Sequence, residues 1–230
     1  GEAVVAKLLH EIQPENLHGK LILVIGNPVA YAHYRRFIHS DLNRLFCPRI
    51  EMLMKQPLDT LNIEEKRAIE IAPFLQEADY LLDIHSTIKP SVPFVYCEKT
   101  KKHLALAYLF ETEYVVSSAS HCRIPDLISC SDNYVDQYGG RGITYEAGWH
   151  KGPTIFPEVM VKTYRFLHAV GSLASLSHLE KLKKMPKKVE INDYLIPQSS
   201  HFHFKKDFSN FDVVEKSEVI AEDAGTLFTA

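Results

Sequence analysis

Cysteine is scarce in this chain, and the few present do not pair by spacing. Cys47, Cys97, Cys122 and Cys130 are scattered, with no C-x-x-C motif among them. That excludes a disulfide framework at this size and reads as the reduced thiols of a cytoplasmic protein. Positive charge is not in excess: 26 Lys and Arg face 29 Asp and Glu, for a net charge of −3. Without concentrated positive charge to neutralise phosphates, nucleic acid is not an expected partner. No apolar run approaches the roughly 18–20 residues of a membrane span, so no membrane partner is expected. Gly139, Gly140 and Gly142 cluster, but neither G-x-G-x-x-G nor P-loop spacing occurs, which argues against a nucleotide site. No signal peptide opens the chain; it begins Gly1-Glu2 without a Met and runs straight into a helical pattern, as if its true N-terminus lay upstream.

What is present is a core. Hydrophobic types make up 46% of the 230 residues, including 12 Phe and 11 Tyr, enough for one medium domain plus a small appendage. Helical spacing marks residues 3–13, 63–78, 101–111 and 157–182, with Pro73 interrupting the second and Pro157 opening the last. Short apolar or β-branched runs mark strands at 20–27, 80–85, 92–97, 113–118 and 142–148. Strands alternating with helices imply an α/β layered fold with a largely parallel sheet flanked by helices. Residues 28–60 hold Arg, His and aromatics without a long period, and a connection of that length points to function. Lysines and Pro186 near 181–188 read as an exposed linker. The runs from 188 to 228 then read as a small β-rich domain. The division expected is a catalytic domain over 1–182 and a β domain over 187–230, the latter cut short by the end of the chain.

Three clusters carry residue types suited to chemistry. The first is Arg36-Phe37-Ile38-His39-Ser40-Asp41-Leu42-Asn43-Arg44. Guanidinium forks match carboxylates, and an Asn amide adds a donor, which suits a grip on an acidic small molecule. The second is Asp83-Ile84-His85, at the carboxyl end of an apolar strand, where open α/β sheets bind ligands. Asp83 lies on the same strand face as His85 and suits a partner for a metal-binding imidazole. The third is Tyr145-Glu146-Ala147-Gly148, where a strand-end carboxylate can be desolvated into the range of a general base. Each has an ordinary alternative: a solvated loop, a histidine capping a strand, an exposed glutamate. His201 and His203 alternate on one strand face and read as an outer surface. His121, Cys122 and Cys130 lack structural-zinc spacing and read as loop and core.

Taken together, Gly26-Asn27-Pro28-Val29-Ala30, the Arg36–Phe46 stretch, Asp83-Ile84-His85-Ser86-Thr87 and Tyr145-Glu146-Ala147-Gly148 resemble the succinylglutamate desuccinylase/aspartoacylase family, relatives of the zinc carboxypeptidases. The resemblance continues through Phe208-Ser209-Asn210-Phe211 and Val214–Asp223 and leans to the desuccinylase branch. It implies a zinc-carboxypeptidase-like fold with a small C-terminal β domain and one zinc per chain. The family's zinc sits on a His-x-x-Glu motif and a later His. Glu2 matches the motif's Glu and His85 the later His, while the motif's His would fall two residues before Gly1. The resemblance further implies Glu146 as the base, Arg36 beside the oxyanion, and Asn43 with Arg44 on a substrate carboxylate. Lys89 is a looser candidate for a distal carboxylate.

The reaction so implied is hydrolysis of an N-acyl amino acid, N-succinyl-glutamate to succinate and glutamate in arginine catabolism. An aspartoacylase-like or other deacylase is the alternative within enzymes, and a peptide-cleaving metallocarboxypeptidase a more distant one. A metal-free binding homologue is the alternative of another class, motivated by the unmatched ligand and opposed by the retained Glu146. Edge strands also allow two copies to pair as a homodimer.

Overall fold

The computed structural model describes residues 1–119, 130–152, 155–174 and 185–230. Its centre is a five-stranded sheet built from β1 (Tyr80–Thr87), β2 (Phe94–Cys97), β3 (Tyr114–Ser118), β4 (Arg141–Trp149) and β5 (Lys187–Ile191), in the order β1-β4-β2-β3-β5. β1 runs parallel to β4, and β2, β3 and β5 run parallel to one another; only the β2–β4 seam is antiparallel. A smaller antiparallel sheet joins β6 (His203–Phe204), β7 (Val219–Asp223) and β8 (Thr226–Thr229). The mixed, mainly parallel sheet with flanking helices and a small antiparallel sheet is the architecture expected from the sequence.

Helices cover both faces. On one face α1 (Glu2–Glu11), α5 (Lys101–Tyr108) and α7 (Phe156–Ala169) pack Val4, Leu8, Leu106, Val159 and Phe166 against Val95, Ile143, Tyr145 and Ala147. On the other, α3 (Arg49–Leu53), α4 (Ile63–Gln76) and α6 (Ser131–Gln137) bury Ile50, Ala68, Ile71, Leu75, Tyr134 and Val135. A short helix, α2 (Pro28–Ala32), opens the long excursion, capped by the Asn27 carboxamide, which accepts the Ala30 N–H. α4 begins with a full capping box between Asn62 and Glu65, which satisfies two otherwise orphaned donors. α7 stops where Gly171 takes φ +79°, a conformation with little steric penalty only for glycine. The pattern over 157–182 therefore breaks after Ala169, and its 175–182 portion lies outside the described residues. So do His121, Cys122 and the lysines at 181–184.

Two expectations need correction. Residues 20–27 do not form a strand. They run half-buried beside α4, and among the described residues no cross-strand backbone bonds reach them; instead Arg67 of α4 donates from Nε to the Gly26 carbonyl and from Nη2 to that of Ile25. An apolar run makes a strand only where a neighbouring edge can pair with it. The second correction is α6, which no hydrophobic period announced. It holds itself down through polar groups and a close approach. A Cβ on Gly142 would stand 2.4 Å from the Asp132 backbone, so only glycine lets α6 sit directly on β4.

The first run of the 187–230 segment, β5, joins the large sheet on β3, and β6, β7 and β8 form the smaller one. Beyond it, Phe211 stacks on Tyr114 at 4.0 Å between ring centroids and meets Phe94 edge-on at 5.2 Å, while Asn210 donates to the Ser91 hydroxyl.

Asp132 is buried at the start of α6, accepting from the Asn133 N–H and the Thr144 hydroxyl. Burial, with Asp83 nearby, pushes its carboxyl up to about 6 from the ordinary 3.8. A folded state that binds the proton more tightly than the unfolded chain loses stability as pH rises through that window. The loss is on the order of 3 kcal/mol for a shift of about two pK units. Asp132→Asn should therefore gain stability relative to the native sequence between pH 4 and pH 7 in urea titrations. A pH-independent difference would contradict this placement of the charge.

Candidate active site

Strand alternation sorts the polar residues onto one face. Leu82 and Ile84 of β1, with Ile143, Tyr145 and Ala147 of β4, face the α1–α5–α7 layer. Asp83, His85, Thr144 and Glu146 therefore share the opposite face, because side chains alternate with a period of two. The parallel register sets Asp83 beside Thr144 and His85 beside Glu146. These pairs stand at the carboxyl ends of two adjacent strands, where the loop from 36 to 44 and the start of α6 close over them.

His85 and Asp83 form a tight pair. Nε2 of His85 lies 2.9 Å from Asp83 Oδ1, and the Asp83 charge, working against burial, lifts the imidazole to about 9. With Nε2 committed to the carboxylate, Nδ1 makes no hydrogen bond among the described residues. The other Asp83 oxygen accepts from Ser131 Oγ at 2.6 Å and from Asn43 Nδ2 at 3.3 Å. Asn43 Oδ1 in turn accepts the Ser131 N–H at 2.7 Å, and its Nδ2 stands 3.4 Å from His85 Nε2. Burial raises the Asp83 carboxyl, but His85, the Ser131 hydroxyl and nearby positive charge outweigh it, so its titration lies below the usual range.

Glu146 is the opposite case. Its Oε2 is buried and has no hydrogen-bond partner among the described residues. Burial raises its titration, the charges of His85 and Arg36 pull it back, and Asp83 pushes it up again; the net direction is upward. A half-buried carboxylate with an unused oxygen is poised to take a proton from whatever polar group arrives beside it.

Arg36 stands at the rim, its guanidinium fixed to Asp41 Oδ2 through Nε at 3.0 Å and Nη2 at 2.8 Å. Its charge bears on both His85 and Glu146. Asp41 also caps the turn that follows, accepting the Asn43 N–H. Arg44 is exposed and spends Nη1 on the Asn43 carbonyl and Cys130 Sγ, leaving its other nitrogens without hydrogen bonds among the described residues. Burial pushes the Cys130 thiol up to about 12, which disfavours a thiolate there.

The structure thus gathers His85, Glu146, Arg36, Asn43 and Arg44 about one strand end. Glu2 lies in the first turn of α1, partly exposed, with Oε2 3.6 Å from the Gly1 amine. Gly1 itself packs near the Ile84 carbonyl. Lys89 is paired with Asp207. Ser131 is the residue that sequence reading missed: a serine in an unrecognised polar helix carries no pattern. A signal was available only in Ser131-Asp132, polar residues of the kind that favour a helix start.

Among known proteins, the succinylglutamate desuccinylase/aspartoacylase catalytic domain model matches residues 1–173. The chain belongs to that family. A curated relative from Prochlorococcus marinus (strain NATL2A), named "Probable aspartoacylase", is 41% identical over 78 residues, which are 31% of this chain and 24% of that protein. The matched stretch is thus about a quarter of that relative's length. The fold agrees with solved structures of the family. A succinylglutamate desuccinylase from Vibrio parahaemolyticus superposes with a TM-score of 0.74 at 20% identity, over 100% of this chain and 69% of that one. The product-bound ectoine utilization protein EutE (DoeB) from Ruegeria pomeroyi gives 0.67 at 20% identity, over 96% and 67%. At those identities the likeness speaks for the fold alone.

The site has its own stability test. Ser131→Ala removes the shortest bond to the half-buried Asp83 carboxylate and leaves an oxygen short of a donor, a loss of about 1–3 kcal/mol. Urea unfolding should show it, and a change below experimental error would contradict the network.

Proposed function

We propose that this chain hydrolyses the amide bond of an N-acyl amino acid, with N-succinyl-glutamate, giving succinate and glutamate, as the first substrate to test. The observation that carries the reading is Glu146: a carboxyl lifted by burial, with an oxygen that has no partner among the described residues, in register beside His85. Family membership supports amide hydrolysis as the reaction class.

In this reading Glu146 removes a proton from the attacking water and returns it to the departing amine. Arg36, held in place by Asp41, offers positive charge where the carbonyl oxygen becomes an oxyanion. The Arg44 donors without hydrogen bonds among the described residues suit a substrate carboxylate at the rim, which would orient the amide toward Glu146. Asn43 belongs to the same rim, although its carboxamide already ties Ser131 to Asp83.

Zinc is the metal this reading assigns, and when bound it would polarise the carbonyl and acidify the water. His85 and Glu2 are the donors this chain offers. A catalytic zinc takes three protein ligands, and the described residues contain no group of three or more His, Cys, Asp or Glu able to hold a metal. The described residues do not complete that site. No helix among the described residues is long and apolar enough to cross a membrane.

The test is Glu146→Gln in the full-length protein supplied with zinc. Glutamate release from N-succinyl-glutamate should fall at least about a hundredfold in kcat, with metal content unchanged. Near-normal turnover in the variant would remove Glu146 from the reaction. Activity of the native protein on other N-acyl amino acids alone would keep the amide hydrolysis and change the acyl group. No turnover of any, with no stoichiometric metal, would favour the binding homologue.

A further inference from the structure

Glu64 is a charged residue with no access to solvent, and none of the chemistry above uses it. It stands second in α4, and its relative exposure is 0%. Burying a carboxylate costs several kcal/mol unless its oxygens are satisfied. Among the described residues no Lys or Arg pairs with it. Its partners are the Asn27 carboxamide at 3.1 Å and three consecutive main-chain N–H groups: Ile38 at 2.6 Å, His39 at 3.2 Å and Ser40 at 3.4 Å. The His39 ring adds a contact at 3.7 Å. Burial pushes this carboxyl up, but the bonds from Ile38, Asn27 and His39 outweigh it and hold it below the usual range.

The three amides are a particular three. They lie between Arg36 and Asp41, the two ends of the guanidinium–carboxylate fork at the rim of the site. The backbone from 36 to 41 is thus a closed ring, pinned above by the fork and below by Glu64. Asn27 ties the same carboxylate to the cap of α2, just upstream of Arg36. Ser40 Oγ adds a weaker link to Asn62, the residue that caps α4. Helix α4 therefore dictates where this Arg-bearing loop sits. A solvated loop of this kind would be a poor place for a group whose value depends on position within about an ångström.

We propose that Glu64 is the positioning residue for Arg36: a buried carboxylate on α4 that clamps the 38–40 backbone and so aims the guanidinium at the His85–Glu146 strand ends. The kinetic part of this proposal rests on the amide hydrolysis proposed above; the structural part does not.

The test uses Glu64→Gln, equal in shape but without charge and with an amide nitrogen turned toward the donors. In the folded variant the Arg36 Nε–H resonance, protected by Asp41 in the native protein, should exchange with water at least about tenfold faster, as for a local opening. On a hydrolysed N-acyl amino acid, kcat should drop about ten- to a hundredfold with KM nearly unchanged, because the interaction lost is one made in the transition state. In an Arg36→Ala background the same substitution should cost no further kcat, since the two act as one unit. An unaltered Arg36 Nε–H in folded Glu64→Gln, or losses that simply add in the double variant, would overturn the proposal. If the native protein hydrolyses no N-acyl amino acid, the functional reading fails and the Nε–H exchange alone decides the positioning. If Glu64→Gln does not fold, Asn27→Ala, which removes one donor to the same carboxylate, is read by the same exchange and must loosen Arg36.

Discussion

The site depends on the register of β1 against β4. Side chains alternate along a strand, so a slip of one residue would send every polar group to the opposite face. With His85 beside Glu146 and Asp83 beside Thr144, four polar residues meet on one face while Leu82, Ile84, Ile143 and Tyr145 enter the core on the other. The apolar set enforces the register, because moving it out of the core would forfeit burial along two full strands. The arrangement of the chemical groups is thus a by-product of a hydrophobic constraint, which is why it can be precise without being strained.

That precision carries an electrostatic cost. Asp83, Asp132, Glu64 and Glu146 all lose water on folding, and each is handled differently. Asp83 is met by His85 and Ser131, Glu64 by main-chain amides, and Asp132 partly by Thr144 and Asn133. Glu146 keeps one buried oxygen without a hydrogen-bond partner among the described residues. A structure that satisfies its other buried carboxylates and leaves one unsatisfied concentrates its unspent polarity at a single point. That point lies at the strand ends, where the fold also places Arg36 and Arg44.

Much of this was legible in the residue pattern. β1, β4 and the paired ends Asp83-Ile84-His85 and Tyr145-Glu146 follow from short apolar runs that stop at polar residues, and α4 and α7 from helical spacing. The α/β architecture follows from their alternation. What was not legible depended on contacts far apart in the chain. The 20–27 run has strand composition, but composition cannot say whether an edge is there to pair with it; Arg67 took the place of a neighbour. α6 has a polar buried face, so periodicity was silent about it and about Ser131. Asn43 was legible as a donor near the site, but not its tie to a serine 88 residues away. Glu64 lies inside the 63–78 helical pattern, and a helical pattern does not tell which of its charges the fold will bury.

The most direct measurement is a crystal structure of the full-length Glu146→Gln protein with an N-acyl amino acid bound. The account expects the scissile carbonyl at the ends of β1 and β4, its carbon within one water's reach of residue 146, its oxygen toward Arg36, and the substrate carboxylate near Arg44. A ligand seated elsewhere, or one that turns its amide away from residue 146, would contradict it.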